Sequence, residues 1–161
     1  MTTEQQTSAK TTRDNPNSKS KKGEHDDVPF RLRVLTPGGE VFNGEGTRLR
    51  FRSSEGDVEI HAGYEPSIFT LDIWPVSLAT DGKTTNKFAV HSGFMRVSHD
   101  EIIVLADAAE TREKIDLARA EEAKQRAEKR LSASPLEREG INMTRAELAL
   151  KRAIARISAK K

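Results

Sequence analysis

Six arginines and one aspartate near the C-terminus have the types and spacing to hold an anion. Arg119, Arg126 and Arg130 lie on one alanine-rich stretch, and Arg145, Arg152 and Arg156 on a second. The first stretch carries an apolar seam of Ala120, Ala123, Ala127 and Leu131, and the second a seam of Ala146, Leu150, Ala153 and Ile157. Both seams have the 3.6-residue period of a helix. At about 100° per residue, each arginine row falls roughly a quarter-turn to the same-handed side of its seam. Two such helices packed antiparallel, seam to seam, bring six guanidinium groups to one edge, with Asp116 among them. That edge suits a nucleotide phosphate or the acidic side chains of a partner. A solvated basic face accounts for the same pattern, because two like charges ~6 Å apart in water repel by only about 0.7 kcal/mol.

Other chemistry is scarce. His25, His61, His91 and His99 are scattered without metal-ligand spacing, and the chain has no cysteine, so a metal site is not expected. Gly38-Gly39 follows Pro37 and lacks the Gly-Lys-Ser/Thr ending of a phosphate loop, so it reads as a hairpin turn. Glu55, Asp57 and Glu59 alternate along one strand face and read as solvated. No nucleophile and base stand together, and the chain is not expected to be an enzyme on its own.

The elements that must position the arginines divide the chain into three. Residues 1–27 contain almost no large apolar side chain and read as a disordered tail, since they cannot bury enough surface to offset ordering entropy. From 28 to 109 the pattern is that of strands. Phe30, Leu32 and Val34 alternate up to the Thr36–Gly39 turn, and Val58 and Ile60 alternate after Ser53–Gly56. Ile68 to Leu78, a turn at Asp81-Gly82, Phe88–Val90, Phe94–Val97 and Ile102–Leu105 continue the series. Many short strands with glycine-rich turns indicate an all-β sandwich or barrel. Residues 110–161 switch to the helical period as an antiparallel hairpin. Asp107 or Thr111 is a candidate cap for the first helix, which Pro135 closes off. Thr144 with Glu147 is a capping-box start for the second.

Charge follows the same division. Residues 1–27 carry five basic and five acidic side chains, residues 28–109 eight and eleven, and residues 110–161 fourteen and nine. The helical end is therefore the basic part, and an acidic or phosphorylated partner is expected there. The absence of cysteine excludes disulfides and allows a reducing compartment. No apolar run approaches the ~20 residues of a membrane span, and no secretory signal is legible, so membrane contact is expected only through partners.

These residues resemble the epsilon-subunit family of rotary ATP synthases. Val34–Glu45 is similar to that family's first hairpin, and Gly56–Pro66 to its signature loop. Ser92–Val97 and Val104–Glu110 are similar to its last strands, and Ile115–Ala120 stands where the family has Ile-Asp-x-x-Arg-Ala. In the loop, Glu59 replaces a glycine, His61-Ala62 replaces Leu-Pro, and Gly63-Tyr64 replaces Gly-His; later, Ser92-Gly93 replaces Gly-Gly.

The resemblance implies a β-sandwich seated on the rotor against the gamma subunit and the ring of c subunits, with contacts through Asp57, His61 and Tyr64. It also implies a helical hairpin that lies folded on the sandwich or extends into the alpha and beta catalytic subunits as a brake on ATP hydrolysis. In the folded state some members bind a regulatory ATP, which here would use Glu110, Asp116, Arg119, Arg126, Arg152 and Arg156. No cofactor is otherwise required. A peripheral position on the cytoplasmic face of a bacterial inner membrane, or on an organellar energy-transducing membrane, follows. The alternative from a different class is a nucleic-acid-binding module using the basic hairpin. Its helices contain no Phe, Tyr or Trp for base stacking, and their glutamates dilute the charge.

Overall fold

Alternation decides the first strand. Phe30, Leu32 and Val34 are buried while Arg31 and Arg33 stay on the outer face, because successive side chains of an extended chain leave on opposite sides. The computed structural model describes residues 28–80, 82–134 and 140–161. The expectations for residues 1–27, for the turn at Asp81 and for Pro135 lie outside those residues.

The strands are β1 (Phe30–Thr36), β2 (Gly39–Gly46), β3 (Arg48–Ser53), β4 (Gly56–His61), β5 (Ser67–Thr80), β6 (Lys83–Val97), β7 (Glu101–Ala106) and β8 (Ala109–Thr111). Two helices follow, α1 (Leu117–Leu131) and α2 (Met143–Lys160). Hydrogen bonding runs β2-β1-β7-β6-β5-β3-β4, with β8 added to β6. The β1–β7 pairing is parallel. The sheet folds over on itself as a sandwich around Leu32, Val34, Leu49, Ile60, Leu78, Phe88 and Val104, among others. Phe42 packs on Phe88 with ring centroids 4.9 Å apart.

Two of the expected short strands are one long one. Phe88–Val90 and Phe94–Val97 both belong to β6, which continues through His91-Ser92-Gly93. Gly93 kinks the strand without ending it. Its φ is +134°, and an added Cβ would stand 2.2 Å from the Leu105 carbonyl oxygen, so only glycine fits. Ser92 beside it also has positive φ, 68°. Before the kink β6 pairs with β8, and after it with β7; β5 follows β6 along both halves.

The helix starts differ from the expected ones. Asp116 caps α1, its Oδ1 accepting the Arg119 N–H at 3.0 Å, and neither Asp107 nor Thr111 does so. The chain first spends residues 109–111 on β8, which delays the helix. Asn142 caps α2, accepting the Arg145 N–H at 2.8 Å, and Thr144 lies inside the helix. α2 lies on β5 and β6, and α1 lies on α2. The seam alanines Ala120, Ala127, Ala146 and Ala153 are buried. Ala155 and Ala159 form a second buried stripe one turn apart, and Ala159 packs with Ala89 of β6 and Ile115.

Candidate functional site

The hairpin's arginines meet the sandwich through one carboxylate. Glu110 sits in the middle of β8, opposite Ala89 of β6, where the added strand holds it beneath α2. Arg156, near the end of α2, donates to Glu110 Oε1 from Nε at 2.9 Å and from Nη2 at 2.6 Å. Both side chains remain about 30 % exposed. Burial raises the Glu110 carboxyl, but the hydrogen bonds and charge of Arg156, with Arg119 behind it, outweigh burial and hold it below the usual carboxylate range.

Around this pair lies a cleft of about 330 Å³ lined by Glu110, Lys114, Asp116, Arg119, Arg126 and Arg156, with Ala120 and Ala123 as its apolar floor. Four cations thus face two carboxylates. Arg119 comes forward because Asp116 starts the helix three residues before it, and Arg126 stands two turns further on, in contact with Glu122 at 3.4 Å. The volume falls in the range of ligand pockets, roughly 300–1,000 Å³, and the surplus positive charge favours a phosphate chain.

The expected edge of six guanidinium groups is divided. Antiparallel helices run their arginine rows in opposite directions, so the rows spread over about 16 Å of helix length at 1.5 Å per residue. Arg119, Arg126 and Arg156 share the cleft. Arg130 lines a second hollow with Lys129 and Ile141 near the hairpin tip, which Arg126 also borders, and Arg145 stands at the start of α2. Arg152 lines a neighbouring cleft with Asp72, His91, Asp107 and Leu148. Lys114 had no signal in the helical periodicity, since it precedes α1; its backbone N–H closes a turn onto Thr111 O at 3.1 Å.

Further contacts tie α2 to the sandwich. Lys151 reaches Asp72 at 3.5 Å. Arg112 donates to the carbonyls of Lys160 and Lys161 at 3.1 and 3.4 Å, while Lys160 Nζ returns to Arg112 O at 3.0 Å. Much of the basic character of α2 is therefore turned onto the chain itself.

The three loop residues occupy two places. Tyr64 N–H donates to His61 O at 3.3 Å, so these two share the turn after β4, where Tyr64 is exposed beside Phe69. Asp57 lies at the other end of β4, about 13 Å away at 3.3 Å per residue. There Arg52 grips it at 2.6 and 3.1 Å and also stacks 3.7 Å from the Trp74 ring centroid. The acidic face of β4 is cross-paired with β3 rather than simply solvated: Arg50 bonds Glu59, and Glu59 bonds His61 at 2.8 Å. Among the described residues no helix is long and apolar enough to cross a membrane.

Comparison with known proteins fits this geometry. Residues 29–112 match the β-sandwich domain of the ATP synthase delta/epsilon chain, and residues 113–161 match the long α-helix domain of the same chain. The ATP synthase epsilon chain of Clostridium novyi is 42 % identical over 103 residues, covering 64 % of this chain and 79 % of the relative. That of Bacillus subtilis is 40 % identical over 103 residues, covering 64 % and 77 %. In fold, the chain is similar to a chain of the Euglena gracilis mitochondrial ATP synthase (OSCP/F1/c-ring), with a TM-score of 0.67 at 17 % identity over 91 % of this chain and 89 % of that one. A chain of the Tetrahymena thermophila mitochondrial ATP synthase central stalk and c-ring gives a TM-score of 0.52 at 14 % identity, over 82 % and 96 %. Taken with the sandwich and the hairpin laid on it, these matches establish that the chain belongs to the ATP synthase delta/epsilon family, as an epsilon-type, non-catalytic subunit.

Proposed function

We propose that the chain is a rotor subunit of the central stalk, joining the ring of c subunits to gamma, and that its hairpin is a movable brake on ATP hydrolysis. Folded on the sandwich, the hairpin leaves rotation free. Extended, it carries Lys151, Arg152 and Arg156 to acidic segments of the alpha and beta subunits. His61 and Tyr64, on one turn, are the contact to the rotor partners, with Asp57 on a separate stretch of that surface. The assembly sits peripherally at an energy-transducing membrane, on the cytoplasmic face in a bacterium.

The observation that carries the regulatory part is the composition of the cleft. Glu110 belongs to the sandwich, Arg119 and Arg126 to α1, and Arg156 to α2, so the cleft exists only while the hairpin is folded. Arg119, Arg126, Arg156 and Lys114 have the chemistry to hold the phosphates of ATP, with Arg152 next to them. A ligand bound there favours the folded arm by mass action, as far as it prefers that state.

Calorimetric titration of ATP into the full chain tests this. Arg126→Ala removes one charge-assisted contact and is expected to weaken binding about tenfold or more. Unchanged affinity overturns the nucleotide part and leaves the stalk role, which is tested by whether the chain restores ion-coupled ATP synthesis to an epsilon-depleted complex.

A further inference from the structure

The imidazole of His91 lies under the docked hairpin with no use in the cleft chemistry. It is 7 % exposed, on β6 opposite Ile73, with its backbone N–H bonded to Ala108 O at 2.9 Å. Its Nε2 is buried and has no hydrogen-bond partner. The charged groups around it come from every neighbouring element. Arg152 and Arg156 reach down from α2, Glu110 faces it from β8, Asp72 from β5 and Asp107 from the turn after β7. Two of those three carboxylates are already engaged, Glu110 by Arg156 and Asp72 by Lys151.

We propose that His91 couples hairpin docking to pH: α2 rests on the sandwich only over a neutral imidazole, so mild acid releases the arm. A protonated ring carries two N–H donors. Here it would bury one without an acceptor and face two guanidinium groups. Lifting the hairpin removes both arginines and opens the ring to water, so the lifted state accepts the proton and the docked state resists it. Burial first, then the charge of Arg156, opposed by Glu110 and reinforced by Arg152, pushes the docked imidazole down to about 4 from 6.5. Because the docked value is the lower one, docking is fully favoured above pH 6.5 and is progressively lost as pH falls from there towards 4.

The inference rests on the reading that the arm leaves the sandwich, and not on ATP, whose binding is settled separately at neutral pH. The chain has no cysteine, so dyes on Asp100→Cys and Glu147→Cys report docking in the full chain. Between pH 7.5 and pH 5 the docking constant is expected to fall about 30-fold, tenfold for each unit below 6.5. With His91→Gln, which keeps a neutral polar side chain, it is expected to stay nearly level. A level wild-type profile overturns the proposal. So does a His91→Gln profile as steep as the wild type, which would assign the effect to other groups. Imidazole NMR of the unlabelled chain gives an independent reading: a His91 ring titrating near 6.5 in the docked protein also overturns it.

Discussion

Glu110 is the residue on which sandwich and hairpin agree. Its strand pairing places it, and both donor atoms of Arg156 converge on one of its oxygens. Replacing it by glutamine keeps an acceptor and removes the charge. Because both side chains remain about a third exposed, solvent screens the pair, and we expect a loss of about 1 kcal/mol in docking, below the usual value for a charged hydrogen bond. The sign with pH follows from the lowered Glu110 value. The docked state favours the carboxylate, so the advantage of wild type over Glu110→Gln is full above the ordinary value of 4.5 and vanishes as pH falls through the depressed one. Hydrogen-exchange protection of α2 amides across that range checks both size and sign. Of the site, Asp116, Arg119, Arg126 and Arg156 were legible as one helical edge. Lys114 was not, because it stands on a turn that has no period.

The helix caps show where local pattern misleads. Thr144 followed by Glu147 has the spacing of a capping box, yet Asn142 takes the role two residues earlier. Both residue types make good caps, and starting the helix two residues earlier, about half a turn, wins when tertiary packing supports it. Asn142→Ala is therefore expected to destabilise α2 by about 1 kcal/mol, while Thr144→Ala changes stability by no more than a few tenths; chemical denaturation followed by helical circular dichroism distinguishes them. The strands give a parallel case. Gly93 reads as a break between two short strands, and its close approach to Leu105 makes it a kink within one. A glycine's local conformational freedom is visible in sequence, but the neighbour that requires it lies twelve residues away.

At the scale of the molecule, the hairpin is held by small residues. Ala155 and Ala159 are fully buried, which lets α2 approach β5 and β6 closely while its seam alanines serve α1. A large side chain at Ala159 collides with Ala89 and Ile115. Ala159→Leu is expected to weaken docking by about 1–3 kcal/mol, the cost of overpacking, while the sandwich stays folded. Trp74, the single tryptophan, lines a cleft with Ser158 of α2, so its fluorescence reports the lifted helix. A variant that melts as one unit with lower stability, without prior loss of the Trp74 signal, contradicts this.

The sequence by itself determined the strands and the two helices, because burial with period 2 and period 3.6 is a local property of the chain, while the choice of sandwich over barrel came from the family resemblance. It also determined that arginines would flank both seams. Only the tertiary structure decided which of them meet. Antiparallel packing sets Arg119, Arg126 and Arg156 around Glu110 and sends Arg152 to the next cleft. Only it showed the second face of α2 and the histidine beneath, since a helix's period reveals its stripe but not what lies across from it.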